Sequence, residues 1–147
     1  MLRLGLGDRV SEPTGQHSLA LTLTNRSDTA CVLFGYPTVA LLAADGAVLP
    51  FDYRHTGDQV VTGRPPTPVL TPPGARADVT INKYRCDLGG RGQVAVVRLT
   101  PPGDSTPLLV ALAPTDRNLE YCGPDDPGSV VAVSPVAPTF RDTLTRS

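Results

Sequence analysis

Ser18-Leu19-Ala20-Leu21-Thr22-Leu23-Thr24-Asn25-Arg26-Ser27-Asp28 is the stretch that decides the fold class. Leu19, Leu21 and Leu23 alternate with Ser18, Thr22 and Thr24, and a period of two puts successive side chains on opposite faces of a half-buried strand. The Asn-Arg-Ser-Asp run that follows carries side chains that hydrogen-bond their own backbone in turns, so the strand ends there. The same period recurs on either side. Leu2, Leu4 and Leu6 alternate with Arg3, Gly5 and Gly7, and Ala77, Val79 and Ile81 alternate with Asp78, Thr80 and Asn82. Shorter apolar runs at 31–34, 39–42, 48–51, 94–99, 108–112 and 130–133 are separated by Gly, Pro and Asp. Asp45-Gly46 between two of these runs predicts a hairpin.

No segment sustains a 3.6-residue apolar period, and sixteen prolines leave little room for long helices. Short helical turns are expected only near residues 117–121 or after Pro138. About nine short strands separated by turn residues predict an all-β sandwich. A chain of 147 residues is long enough for one domain with its own core. That domain is expected over residues 1–138, with 139–147 as a loosely ordered tail.

Thirteen basic and fourteen acidic residues are spread along the chain, for a net charge of −1. No basic stripe marks a nucleic-acid surface and no polybasic patch marks a membrane surface. No run approaches the roughly 20 apolar residues that cross a bilayer. Residues 1–7 lack the n-region, h-region and cleavage site of a signal peptide. Cys31, Cys86 and Cys122 lie far apart, which excludes a CxxC metal or redox motif. Cysteines used this way point to a disulfide and an oxidising compartment. The cysteines and the N-terminus together predict an extracytoplasmic chain that has lost its signal or anchor. Three pairings are open, and one thiol is left over.

The strand ending in Thr24-Asn25-Arg26-Ser27, followed by Cys31-Val32-Leu33-Phe34-Gly35-Tyr36-Pro37, resembles an actinobacterial family of extracytoplasmic domains, the domain-of-unknown-function 4232 family. The resemblance continues through residues 39–46 and Leu70-Thr71-Pro72-Pro73-Gly74-Ala75-Arg76-Ala77 to the later cysteines, over about residues 2–136. It implies an immunoglobulin-like β-sandwich of about eight or nine strands, Greek-key in type, from a secreted protein, a lipoprotein or a membrane-anchored ectodomain. It also implies a bridge between Cys86 and Cys122, and makes Cys31 an unpaired thiol whose partner would lie just upstream of the first strand. Closing a loop of about 36 residues stabilises a fold by roughly 3–4 kcal/mol in the chain-entropy model.

Catalytic constellations are absent from the sequence. His17 and His55 are the two histidines, and neither is near a cysteine, as a blue-copper site would require. No Gly-x-Ser-x-Gly elbow occurs, and most aspartates sit in turns, where backbone hydrogen bonding favours them. Asp125-Asp126 lacks the alternation that wraps calcium. No cofactor and no metal is expected, and the chain is not expected to be an enzyme. The stretch 52–68 holds Tyr53, Arg54, His55 and Arg64, residue types enriched at binding surfaces, and is the candidate binding loop.

These readings favour a non-catalytic interaction or structural module of the cell envelope, with an envelope protein or a cell-wall glycan as partner. The alternatives are a carbohydrate or small-molecule binding domain, a hydrolase built around His55, and a redox sensor built on Cys31. Alkylation of the unreduced, denatured protein followed by peptide mapping is expected to label Cys31 alone; label on all three cysteines would remove the disulfide and the extracytoplasmic assignment with it.

Overall fold

The computed structural model describes residues 1–145 except 113, 114 and 116. Within them the chain forms β1 (Leu2–Leu6), β2 (Gln16–Asn25), β3 (Cys31–Leu33), β4 (Thr38–Leu42), β5 (Asp52–Arg54), β6 (Val69–Thr71), β7 (Arg76–Tyr84), β8 (Gly92–Gln93), β9 (Val96–Thr100), β10 (Leu108–Ala111), β11 (Glu120–Tyr121) and β12 (Val130–Val133). Single 3-10 turns at Pro127–Ser129 and Arg141–Thr143 are the only helical elements among the described residues. Eight of the nine expected runs form strands, and the other four strands, β5, β6, β8 and β11, are two or three residues each and too short to show a period.

One sheet has the order β1-β2-β7-β12-β5 and a second the order β10-β9-β4, with two-stranded ribbons β11-β8 and β3-β6 beside them. The pairing of β2 with β7 and of β4 with β9 skips intervening strands, so the chain passes between the two sheets, as it does in a sandwich. Leu19, Leu21, Leu23, Val79 and Ile81 from the first sheet meet Val39, Leu41, Val97 and Leu99 from the second in one core. The Tyr53 hydroxyl on β5 accepts a 3.0 Å bond from the Leu41 N–H on β4 and so ties the two sheets together.

The outer face of β7 is not a solvent face. Asp78, Thr80 and Asn82, the polar half of the alternation, are all buried. Residues 134–145 and 58–62 cross over them. Ala137 exchanges both backbone bonds with Asp78, the Ser134 hydroxyl accepts from the Thr80 N–H, and the Thr80 and Thr143 hydroxyls lie 2.6 Å apart. The Asn82 amide donates to Gln16 Oε1 at 2.8 Å and Asp58 Oδ2 at 2.7 Å, and its oxygen accepts from Ser18. Residues 139–145, read from the sequence as a tail, hydrogen-bond to Val60 and Thr62. Residues 146 and 147 lie outside the described part.

Two local expectations are corrected. The turn at Asp45-Gly46 forms, with Gly46 at φ +88° and the Ala43 N–H donating to the Ala47 carbonyl, but the second arm is a bridge from Val48 to Leu42 and not a strand. Of the two places expected for helical turns, the one after Pro138 holds the turn Arg141–Thr143, and the other, near residues 117–121, holds β11. Burial of hydrogen-bonded polar groups makes the outer layer sensitive to single deletions. Asn82→Ala is expected to cost about 2–4 kcal/mol in chemical unfolding, because it strands Asp58, Gln16 and Ser18 together.

Candidate functional site

The four residues of the sequence-predicted binding loop do not converge. Tyr53 points inward between the sheets, and burial raises its phenol pKa against the lowering effect of the Leu41 N–H. Arg54 stays on the surface in an ion pair with Asp52, whose carboxyl it holds below the ordinary range. The His55 ring stacks on Tyr36 with centroids 3.9 Å apart and planes within 1°. Arg64 sits beyond a tight turn, where Gly57 packs so closely on Gly63 that a Cβ would lie 2.7 Å from its backbone.

The cysteines fall as the resemblance implied. Cys86 and Cys122 form a disulfide, and Cys31 is free and half-buried, its sulfur 3.9 Å from the Thr71 carbonyl. The bridge pins the loop after β7 to the segment after β11. The Asp126 carboxylate finishes the knot by accepting from the Gly128, Asp87 and Leu88 N–H groups, and these donors hold its pKa below the ordinary value. Position 128 requires glycine, since a Cβ there would meet the Cys122 sulfur at 2.5 Å and the Arg85 carbonyl at 2.6 Å.

Beside this knot lies a feature that sequence reasoning missed. Lys83, the chain's one lysine, projects from the core face of β7 opposite His17 on β2 and is only 2% exposed. Its ammonium donates to the Tyr84 carbonyl at 2.8 Å. Burial lowers its pKa, opposed by the charges of Glu120 and Asp126. The polar-apolar alternation of β7 carries no sign of this, because position 83 falls on the apolar phase and reads as the exposed end of a strand.

A second feature is the seam where β1 and β10 end their sheets. A groove of about 580 Å³ runs along it, lined by Met1, Leu2, Arg3 and Leu4, by Arg26, and by Leu108, Leu109, Val110 and Ala111. The Gly7 N–H donates to Ala20 and the Met1 carbonyl accepts from Arg26, so the odd residues of β1 face β2 and the backbone groups of Leu2, Leu4 and Leu6 point away from it. The Leu112 N–H donates to Ala95, which by the same alternation turns the backbone of Leu109 and Ala111 outward. No backbone hydrogen bond joins β1 to β10 among the described residues. Elsewhere, the cross-strand pair Val32–Leu70 and Phe34 form an exposed apolar surface on the β3-β6 ribbon.

Among the described residues no group of three or more His, Cys, Asp or Glu is placed to hold a metal, and no helix is long and apolar enough to cross a membrane. A buried ammonium without an ion partner is a net cost to folding. Lys83→Met is therefore expected to raise stability by about 1–2 kcal/mol at neutral pH. Because the folded pKa of Lys83 is lowered, wild-type stability rises with pH between that value and the unfolded one of about 10.4, so the gap between the two proteins should narrow in alkaline denaturant titrations.

No curated protein and no solved structure matches the chain. A family model does, over residues 2–137, which takes in both sheets, the disulfide and the seam. The chain belongs to the family described as Domain of unknown function (DUF4232).

Proposed function

We propose that this domain is a non-catalytic interaction module acting outside the cytoplasm, which takes an extended segment of a partner protein by strand addition at the β10 edge. The observation that carries the reading is the seam. Among the described residues the outward N–H and C=O groups of Leu109 and Ala111 meet no partner, and Leu109 is 62% exposed. A sheet edge of this kind is a template for another strand, with backbone bonds giving affinity and alternate side chains giving selectivity. The apolar groove beneath would take every second side chain of the incoming segment.

Charge selects the segment. Among the described residues the groove is lined by Arg3 and Arg26 and by no acidic side chain, and Arg98 lies across from Leu109 on β9. An acidic, apolar-alternating strand fits these walls, and a basic one is repelled. The disulfide supports action in an oxidising compartment. The hydrolase reading has less support, since the contacts that fix His55 are its stack on Tyr36 and the bond its carbonyl accepts from the Tyr36 hydroxyl. A cell envelope of actinobacterial type remains the setting this reading favours, through the family resemblance.

The test uses an extended peptide alternating valine with aspartate, and its lysine counterpart, followed by amide chemical shifts and hydrogen exchange. Binding of the aspartate peptide with protection at Leu109 and Ala111 is expected. Leu109→Pro removes an outward N–H without touching the β9 ladder and should weaken binding about fivefold, the worth of one backbone hydrogen bond of about 1 kcal/mol. N-methylation of alternate peptide amides should do the same with the protein unaltered. Equal binding of the lysine peptide, undiminished binding by both altered partners, or occupation of the seam by a cell-wall glycan fragment in place of the peptide would overturn the proposal.

A further inference from the structure

We propose that the cleft at the Lys83 end of β2 and β7 is a binding site for a small carboxylate, with the Lys83 ammonium as its charged anchor. The cleft encloses about 170 Å³ between His17, Lys83, Cys86, Asn118 and Glu120. At about 30 Å³ per water in the liquid, that is room for five or six small heavy atoms. This site is separate from the β1–β10 seam and does not depend on it.

Lys83 is built into the wall and not laid across a surface. It is almost wholly buried, yet one of its three N–H donors is used, on the Tyr84 carbonyl. No carboxylate lies within 4.0 Å of it among the described residues. The disulfide fixes one side of the cleft, since the Cys86 and Cys122 sulfurs both lie beside the Glu120 carbonyl. Asn118 contributes a donor as well. Its side-chain oxygen accepts from Gln93 Nε2, and its amide N–H groups meet no partner among the described residues.

Glu120 is the group that would oppose an anion. Its carboxylate lies over Gly90, in the space a Cβ at that position would need, and it makes no ion pair with Lys83. It therefore acts on Lys83 through space, as does Asp126 from the knot, while His17 faces the amine from β2. A carboxylate set between the ammonium, the Asn118 amide and the imidazole would complete the donors that the fold leaves open, much as buried charges elsewhere are retained only when paired. Its binding would oppose the burial that lowers the Lys83 pKa. By linkage, affinity falls as pH rises through the free amine's pKa.

The single lysine makes the test direct. Lysine labelled with carbon-13 at Cε gives one side-chain signal, read during titration with acetate at constant ionic strength, with chloride as the control. A saturable shift with acetate, an upward move of the Lys83 titration midpoint, and a gain in Tm that Lys83→Met does not share are the expected results. Lys83→Arg keeps the charge and should retain part of the Tm gain. A linear shift shared by chloride, or an equal Tm gain in Lys83→Met, would overturn the site. So would an intact mass short by one ammonia, which would show Lys83 consumed in an amide with Asn118.

Discussion

Nine consecutive residue pairs, from Gln16 with Tyr84 to Thr24 with Arg76, lock β2 to β7, and both faces of that ribbon are buried. On one face lie the leucines, valine and isoleucine of the core. On the other lies a hydrogen-bonded layer of Gln16, Ser18, Thr80 and Asn82 under residues 58–62 and 134–145. A strand pair buried on both faces has only one workable register, since a slip of one residue would drive Asn82 and Asp78 into the core. The layer is possible because each polar group in it meets a partner, Asn82 serving three at once. The C-terminal residues are therefore part of the fold's cover.

That cover explains how the two ends of the sandwich come to differ. At one end the disulfide, Asp126 and the side-chain-free Gly128 compress the segments after β7 and β11 into a knot, satisfied by backbone donors. Such a knot leaves no freedom to relax around Lys83, which sits just inside it. An ordinary surface lysine would swing its amine to water. Lys83 instead begins on the core side of β7 and emerges under β11, with its ammonium held at the Tyr84 carbonyl.

The periodicity of β2 and β7 and the turn residues between the runs were enough to read an all-β sandwich, because apolar alternation reports directly on which face meets the core. The same alternation misassigned the other face. Asp78, Thr80 and Asn82 carry the polarity of a solvent face, and only the crossing of residues 58–62 and 134–145, which have no period, buries them. β5 lies inside the stretch 52–68, the candidate binding loop, where three residues cannot display a pattern; its parallel pairing with β12 is set by the tertiary fold. Tyr53, Arg54, His55 and Arg64 share a stretch of sequence, but a strand alternates their directions and a tight turn separates the last. Lys83 was invisible for a different reason. Nothing in a single lysine after an asparagine indicates burial, which depends on β11 and the disulfide closing over it from thirty-odd residues away.

The seam follows from the same asymmetry. On the far side of the first sheet, β12 and β5 extend the β2-β7 ribbon, and Tyr53 on β5 reaches the second sheet at Leu41, so that side is tied shut by a side-chain bond. On the near side β1 and β10 are the last strands of their sheets, and each turns every second peptide outward. Stable β-proteins blunt such edges with charge, and Arg3 and Arg26 do so here without covering the backbone of Leu109 or Ala111. Two arginines on an otherwise apolar groove repel a second copy of the same edge as well as a basic strand. The devices that keep this edge from pairing with itself are thus the ones that would select an acidic strand from a partner.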